Sequence, residues 1–126
     1  MITTDSFSSD RTFTVWQYTI AHHSRVLLRS PRRTDRDSRI DLHVGGVSAM
    51  FLRPSYERIT IREGTEDERR RVISLVGPDP FERGQILHMI EGGHTAGFVL
   101  GGPLQYHESH ASDDEPSGFP PMPPTA

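Results

Sequence analysis

The amino-acid sequence predicts an α+β fold, in which a strongly bent antiparallel sheet or partly open β-barrel of about eight strands carries one helix near residues 66–76. Three observations lead to this prediction. Apolar and polar residues alternate along most of the chain, and this period of two residues is typical of a β-strand. Pairs of adjacent glycines separate the alternating segments, as tight hairpin turns require. One segment changes to the period of a helix and carries helix start and stop signals.

Five strands are predicted in the first half of the chain. Four of them cover residues 12–20, 24–30, 47–53 and 57–62. In the first of these the apolar residues change parity, which predicts two covered faces or a bulge. The clearest strand is 39–44 (RIDLHV), where three aliphatic side chains alternate with Arg39, Asp41 and His43. The Gly45-Gly46 pair predicts a two-residue hairpin after it, and the short connections indicate an antiparallel meander.

The helix is predicted over 66–76. Thr65 and Glu68 have the spacing of a capping box, in which each side chain accepts a hydrogen bond from the other residue's backbone amide. Acidic residues fill the first turn, where the helix dipole favours negative charge, and Gly77-Pro78 is a stop signal. Strand periodicity then returns in the segments 85–90, 96–100 and 104–107. The glycines at 92 and 93 predict a hairpin between the first two.

Both ends of the chain have a composition that predicts segments outside the core. Residues 1–10 are small and polar and are predicted to form a flexible N-terminal arm. Residues 108–126 combine acids, serine and five prolines, which predicts an acidic tail that is disordered or extended as polyproline II. A single β-rich domain is therefore expected over 11–107. No apolar run approaches the ~18 residues of a membrane span and no secretory signal is apparent, so a soluble, cytoplasmic protein is expected.

Composition and charge exclude some functions and suggest others. The chain has no cysteine, which excludes disulfides, thiolate zinc sites, iron–sulfur clusters and cysteine nucleophiles. All fourteen basic residues are arginine, and the absence of lysine and asparagine is typical of a GC-rich bacterial genome. Residues 1–62 hold ten arginines and six acids, whereas residues 63–126 hold four arginines and eleven acids. This asymmetry predicts electrostatic pairing within the molecule, between copies, or with a charged partner.

No segment carries a catalytic or cofactor signature, and we expect no cofactor. The sequence lacks a G-x-S-x-G nucleophile elbow, and its glycine-rich run at 92–102 lacks the lysine of a P-loop. The histidines at 107–110 lie at the start of the predicted tail, which offers no rigid support for a metal. Asp41 and His43 share one strand face and can meet His23 from an adjacent strand. A metal or acid–base site made of these three residues is therefore geometrically possible.

The outward faces of three predicted strands carry the candidate binding site. If these strands lie side by side, their outward side chains form one surface rich in guanidinium groups, which suit bidentate contacts to carboxylates. The candidate residues are Arg25, Arg29, Arg39, Asp41, His43, Arg58 and Arg62. The acids at 113–115 can dock on this surface in cis or on a neighbouring subunit. The run 119–124 has the composition of a polyproline ligand for an aromatic groove.

The interpretation favoured by these patterns is a non-enzymatic binding domain whose arginine-bearing sheet face recognises an acidic protein partner or another subunit, as in a homodimer. Nucleic acid is not expected as a partner, because the net charge is -3 and no strand has the basic and aromatic pattern of an RNA-binding sheet. A membrane partner is not expected either. The alternative is a small β-barrel enzyme or metal-binding protein that uses Asp41 and His43 as an acid–base pair in a barrel pocket.

Overall fold

The structure, a computed structural model, describes residues 2–19, 24–33 and 36–119. These ranges contain eleven strands and two helices. In chain order they are β1 (Ile2–Thr4), β2 (Phe7–Ser8), β3 (Phe13–Thr19), β4 (Arg25–Ser30), β5 (Arg39–Val44), β6 (Ala49–Phe51), β7 (Ser55–Tyr56), β8 (Thr60–Glu63), α1 (Glu66–Val76), α2 (Asp79–Glu82), β9 (Ile86–Gly92), β10 (Thr95–Gly101) and β11 (Leu104–Ser109). Neither helix in the described part of the chain is long and apolar enough to cross a membrane.

The strands form two antiparallel sheets, which confirms the predicted α+β class. The first sheet has the order β1-β11-β5-β4-β3-β7, and the second has the order β2-β8-β9-β10-β6. Within the described residues neither sheet closes into a barrel. All eight predicted strands overlap observed ones; the additional strands β1, β2 and β7 are only two or three residues long, too short to leave a periodic pattern in the sequence.

The predicted hairpin at Gly45-Gly46 is wrong, because the chain changes sheet there. β5 pairs with β4 and β11, whereas β6 pairs with β10 in the second sheet. Gly46 does adopt a positive φ of 59°, and the carbonyl of Gly45 accepts a hydrogen bond from the amide of Gly102 at 2.8 Å. A glycine pair permits a sharp change of direction but does not determine which strand is paired next. The predicted meander therefore ends at β5.

Two other local predictions are confirmed. α1 begins at Glu66 and ends at Val76, with both hydrogen bonds of the capping box present. β9 and β10 form a hairpin whose turn residues, Gly93 and His94, both have positive φ, as a type I′ turn requires.

An apolar cluster joins the two sheets. Its buried aliphatic members from strands of four or more residues are Val26, Leu28, Ile40, Leu42, Val44, Ile61, Ile90, Val99 and Leu104. A smaller cluster of Val72, Leu87 and Leu100 lies under α1. Successive side chains of a strand point to opposite faces. The alternate side chains of β4 and β5, all polar except Leu27, are therefore directed away from the second sheet. This arrangement positions the candidate site on the outer face of the first sheet.

The predicted boundaries of the domain at 11 and 107 stay predictions. Within the structure, β1 pairs with β11 and β2 pairs with β8, so both short strands of the segment 1–10 belong to the sheets. β11 continues to Ser109, and residues 110–119 contact the first sheet. Residues 120–126, with all the prolines of the run 119–124, lie outside the described residues, as does His23.

Candidate functional site

Strand alternation and register bring five of the seven predicted site residues to one surface. Arg29 of β4 lies opposite Asp41 of β5, with Arg39 and His43 on the same side of β5. The neighbouring strand β11 places Gln105 opposite His43 and His107 opposite Asp41. We call this surface the arginine face, and it consists of Arg25, Arg29, Arg39, Asp41, His43, Gln105 and His107.

The structure does not bring Arg58 and Arg62 to the arginine face. Arg58 lies in the connection between β7 and β8 and has a positive φ of 54°. Arg62 lies on β8 in the second sheet, where its guanidinium donates to Glu68 at 2.7 and 2.9 Å and to Glu91 at 2.9 Å. The cause is the second change of sheet, after β7, which returns the chain from the first sheet to the second and separates β8 from β4 and β5.

The centre of the arginine face is a buried cluster of three charges. The carboxylate of Asp41 accepts hydrogen bonds from Arg29 at 2.7 and 3.4 Å and pairs with Arg39 at 3.3 Å. The three side chains are between 1% and 3% exposed. One carboxylate between two guanidiniums leaves an excess positive charge and several N–H donors. Burying such donors is costly unless further acceptors are present.

The chain's own C-terminal segment supplies these acceptors. Arg39 donates three hydrogen bonds to this segment through its two terminal nitrogens, and Arg29 donates one at 2.8 Å. The acceptors are the main-chain carbonyls of Ser112, Asp113, Glu115 and Pro116. The two arginines therefore contact main-chain carbonyls of the segment, which provide acceptors for the terminal nitrogens of Arg39 without burying a second carboxylate, whereas Nε of Arg39 is buried without an acceptor.

One side chain of the acidic run is also bound. The carboxylate of Asp113 accepts a hydrogen bond from the backbone amide of Arg32 at 2.7 Å, and the guanidinium of Arg32 donates to the carbonyl of His110 at 2.9 Å. Asp114 and Glu115 are exposed, and no ion pair joins either of them to an arginine in the described ranges. The acids thus lie at the arginine face, but carbonyls rather than carboxylates fill it.

The other end of the segment is held by aromatic packing. Phe119 is 4% exposed, and its ring stacks on the ring of His43 with 4.7 Å between centroids and 20° between planes. The Nε2 atom of His43 accepts a hydrogen bond from Nε of Arg25 at 3.0 Å. Burial, and next the positive charge of Arg25, lower the pKa of His43, which favours the neutral ring where Phe119 packs.

A bulge places an aromatic ring at the edge of the site. The register of β3 with β4 shifts between Val15 and Gln17, which confirms a bulge in this strand. The ring of Trp16 lies 4.8 Å from the guanidinium carbon of Arg29, within the range of a cation–π contact. Trp16 remains 43% exposed, so its ring is partly open to solvent at this edge of the arginine face.

Asp41 and His43, the acid–base residues of the enzyme alternative, each contact other side chains in the structure. Asp41 is engaged by two arginines, and His43 is engaged by Arg25 and Phe119. Among the residues that the structure describes, no group of three or more histidines or acids could hold a metal ion. The third residue of that hypothesis, His23, is outside the described ranges.

Sequence reasoning missed Arg32, Gln105 and His107 as parts of the site. Gln105 and His107 alternate with apolar residues on the last strand, but nothing in the sequence places that strand beside β5. Arg32 contributes its backbone amide, and no pattern of side chains in a sequence predicts which backbone amides will bind a ligand. The chain as a whole matches no protein-family model, no curated protein and no solved structure.

Proposed function

We propose that the chain is a small binding domain whose arginine face binds an extended, acidic segment of a protein partner. Residues 110–119 of the chain itself occupy the face until a partner displaces them. The observation that carries this proposal is the contact of Arg39, 1% exposed, with three main-chain carbonyls of that segment. A soluble, cytoplasmic location in a bacterium belongs to the same proposal, as the composition predicts.

The donors of the face are held in place before a segment arrives. Asp41 contacts both guanidiniums, so Arg29 and Arg39 keep their orientation without a ligand. Preorganised donors bind with less loss of side-chain entropy than free arginines. Because they bind carbonyls, which every residue carries, an extended segment from another protein can make the same contacts.

An acidic partner is favoured over a neutral one. The face holds an excess positive charge at its buried centre, and Arg32 lies beside it with an exposed side chain. Negative charges that remain in solvent, as those of Asp114 and Glu115 do, accelerate the approach of a segment to a positive surface. A second copy of the chain carries such a segment, which makes self-association one form of this partner.

Competition with the chain's own segment gives the proposal a distinctive test. A tethered segment has an effective concentration of roughly millimolar order, so it masks the face from a free peptide. Phe119→Ala in the full chain weakens the tethered competitor. We therefore expect a labelled peptide of residues 110–119, measured by fluorescence anisotropy, to bind the Phe119→Ala chain about tenfold more tightly than the unsubstituted chain.

Variants of the face provide the controls. Arg39→Ala, added to the Phe119→Ala chain, is expected to weaken peptide binding at least about tenfold, because hydrogen bonds from a charged donor are lost. Arg58→Ala in the same background is the matched control, since Arg58 lies away from the face. Far-UV circular dichroism tests whether each variant is folded, and Arg39→Gln retains a neutral donor should the alanine variant unfold. Equal peptide binding by the Arg39 and Arg58 variants would overturn the proposal.

The mass of the chain in solution separates the two forms of partner. If a second copy is the partner, light scattering shows a mass that rises with concentration, and Phe119→Ala reduces the dimer. A constant monomer mass together with peptide binding assigns the partner to another protein. No observation on the described residues favours a β-barrel enzyme or metal-binding protein, because both Asp41 and His43 are already engaged.

A further inference from the structure

We infer that the arginine face selects its segment by sequence: a carboxylate side chain six residues before an aromatic ring, with glycine immediately before the ring, as in Asp113, Gly118 and Phe119. This inference rests on the proposed function and names the class of segment that a partner must carry. Three separate contacts support it, one for each position.

The aromatic position is set by His43. Phe119 is nearly fully buried and lies almost parallel to the His43 ring. Leu27, which is 2% exposed, lies opposite His43 in the strand register and adds apolar surface to this end of the face. A flat ring suits stacking on a neutral imidazole, whereas alanine leaves that ring uncovered. The face therefore favours phenylalanine, tyrosine or tryptophan at this position.

The glycine position is set by His107. A Cβ atom added to Gly118 would lie 2.6 Å from Nδ1 and 2.8 Å from Cε1 of the His107 ring. At His107 the backbone of β11 is paired with Asp41 of β5, so a Cβ atom at position 118 would have to displace the His107 ring. Gly118 does not have a positive φ. Its requirement therefore arises from space and not from backbone conformation.

The carboxylate position is set by the backbone of Arg32. Oδ1 of Asp113 accepts the Arg32 amide at 2.7 Å, while the carbonyl of Asp113 accepts from Arg29. Asp113 is thus bound by both its side chain and its main chain. The neighbouring Asp114 is exposed and makes no such contact in the described ranges. Only one position of the acidic run is therefore selected, and the others contribute general negative charge.

Peptides test the three positions one at a time. Each spans residues 110–119, carries one substitution, and is titrated into the full-length Phe119→Ala chain by fluorescence anisotropy. We expect Phe119→Ala and Gly118→Ala in the peptide to weaken binding at least about tenfold, and Asp113→Ala to weaken it by up to about tenfold. Asp114→Ala is the matched control, because it removes the same charge from an exposed position, and its binding should stay within about twofold.

Rescue distinguishes direct selection from a general loss of peptide order. His107→Ala, added to the Phe119→Ala chain, removes the ring that meets Gly118. The Gly118→Ala peptide should therefore bind this double variant more tightly than it binds the Phe119→Ala chain. The Asp113→Ala peptide should gain nothing from the same change.

The outcomes separate this inference from the proposed function. If the unsubstituted peptide binds but all four substituted peptides bind equally well, sequence selection is overturned and the proposed binding function stands. If the Gly118→Ala peptide is not rescued by His107→Ala, the assignment of the glycine position is overturned. If the unsubstituted peptide itself fails to bind the folded Phe119→Ala chain, the proposed function is overturned.

Discussion

Two arginines on outward strand positions, Arg39 in the first sheet and Arg62 in the second, have contrasting surroundings. The side chain of Arg39 is 1% exposed and that of Arg62 is 36% exposed. Both pair with carboxylates, Arg39 with Asp41 and Arg62 with Glu68 and Glu91. Only Arg39 is covered by the C-terminal segment. Strand alternation therefore determines which face a side chain occupies, whereas its exposure depends on whether another segment covers that face.

The two arginines also stabilise the fold differently. Hydrogen bonds from Arg62, and next the backbone amide of Thr65, lower the pKa of Glu68 to about 2, and this pair links β8 to the start of α1. Such a partly exposed pair is screened by salt and contributes little. Around Arg39 the charges are out of water, so loss of one partner leaves an uncompensated charge.

The largest expected difference is in the free energy of unfolding, when one carboxylate partner is removed from Arg39 and one from Arg62. Asp41→Asn leaves Arg29 and Arg39 buried without a negative charge, so we expect the free energy of unfolding to fall by about 3–5 kcal/mol. Glu91→Gln removes one partner of the partly exposed Arg62, and we expect a fall of less than about 1 kcal/mol. Urea denaturation followed by far-UV circular dichroism measures both.

Ionic strength is the control for this pair of variants. Added salt should diminish the effect of Glu91→Gln and leave that of Asp41→Asn largely unchanged, because buried charges are screened much less. Similar losses of stability for the two variants would contradict the contrast between the two arginines.

An intermediate effect is expected from releasing the covering segment. Phe119→Ala removes the buried ring, and we expect it to reduce the free energy of docking the segment by about 1.5–3 kcal/mol. A protease that cleaves before aspartate should then cut the bond between Asp113 and Asp114 at least about tenfold faster, because an open segment is cut more readily.

Leu75→Ala is the matched control for this prediction. Leu75 is 75% exposed on α1, so its removal should change stability by less than about 0.5 kcal/mol and leave cleavage between Asp113 and Asp114 unchanged. A Phe119→Ala chain that resists the protease as well as the unsubstituted chain would show that the ring does not hold the segment.

The smallest expected effect is a dependence of stability on pH. Burial is the main cause of the lowered pKa of both His43 and His88, so both rings stay neutral in the folded chain at a pH where the unfolded chain takes up protons. Stability should therefore be constant above about pH 6.5 and fall as the pH drops below this value. The midpoint of urea denaturation between pH 8 and pH 5 measures this fall.

Histidine variants assign the pH dependence. His43→Gln should reduce the slope below pH 6.5, whereas the same change at His94, which is exposed, should leave it as it is. A slope that is unaffected by His43→Gln would mean that protonation of this ring does not oppose the folded state.

The elements that the sequence predicts correctly depend on neighbours along the chain. The capping box at Thr65 and Glu68, the alternation of 39–44 and the positive φ at Gly93 each involve contacts within a few residues or a local period. Such features have the same physical cause in an isolated segment and in the folded chain. Their bounds in the structure agree closely with the prediction.

The features that the sequence does not reveal depend on contacts far apart in the chain. Gly45-Gly46 shows that the chain turns, but only the competition among all strands for partners decides that β6 joins β10. The contacts of Arg39 with the C-terminal segment connect residues 73 to 77 positions apart and involve carbonyls, which every residue possesses. No residue pattern marks such acceptors. The outward position of Arg39 on β5 was therefore predictable, but its burial was not.

The guanidinium groups of Arg29 and Arg39 offer hydrogen-bond donors and no acceptors. A chain laid over them finds partners for its carbonyls, but none there for its amide hydrogens. Proline suits this situation because it has a carbonyl and no amide hydrogen to leave unsatisfied, and Pro116 is bound by Arg39 in this way. If the arginine face binds peptides as proposed, we expect it to discriminate against those that bind as an added β-strand, which require both donors and acceptors from their host, and to admit imino acids that a sheet edge rejects.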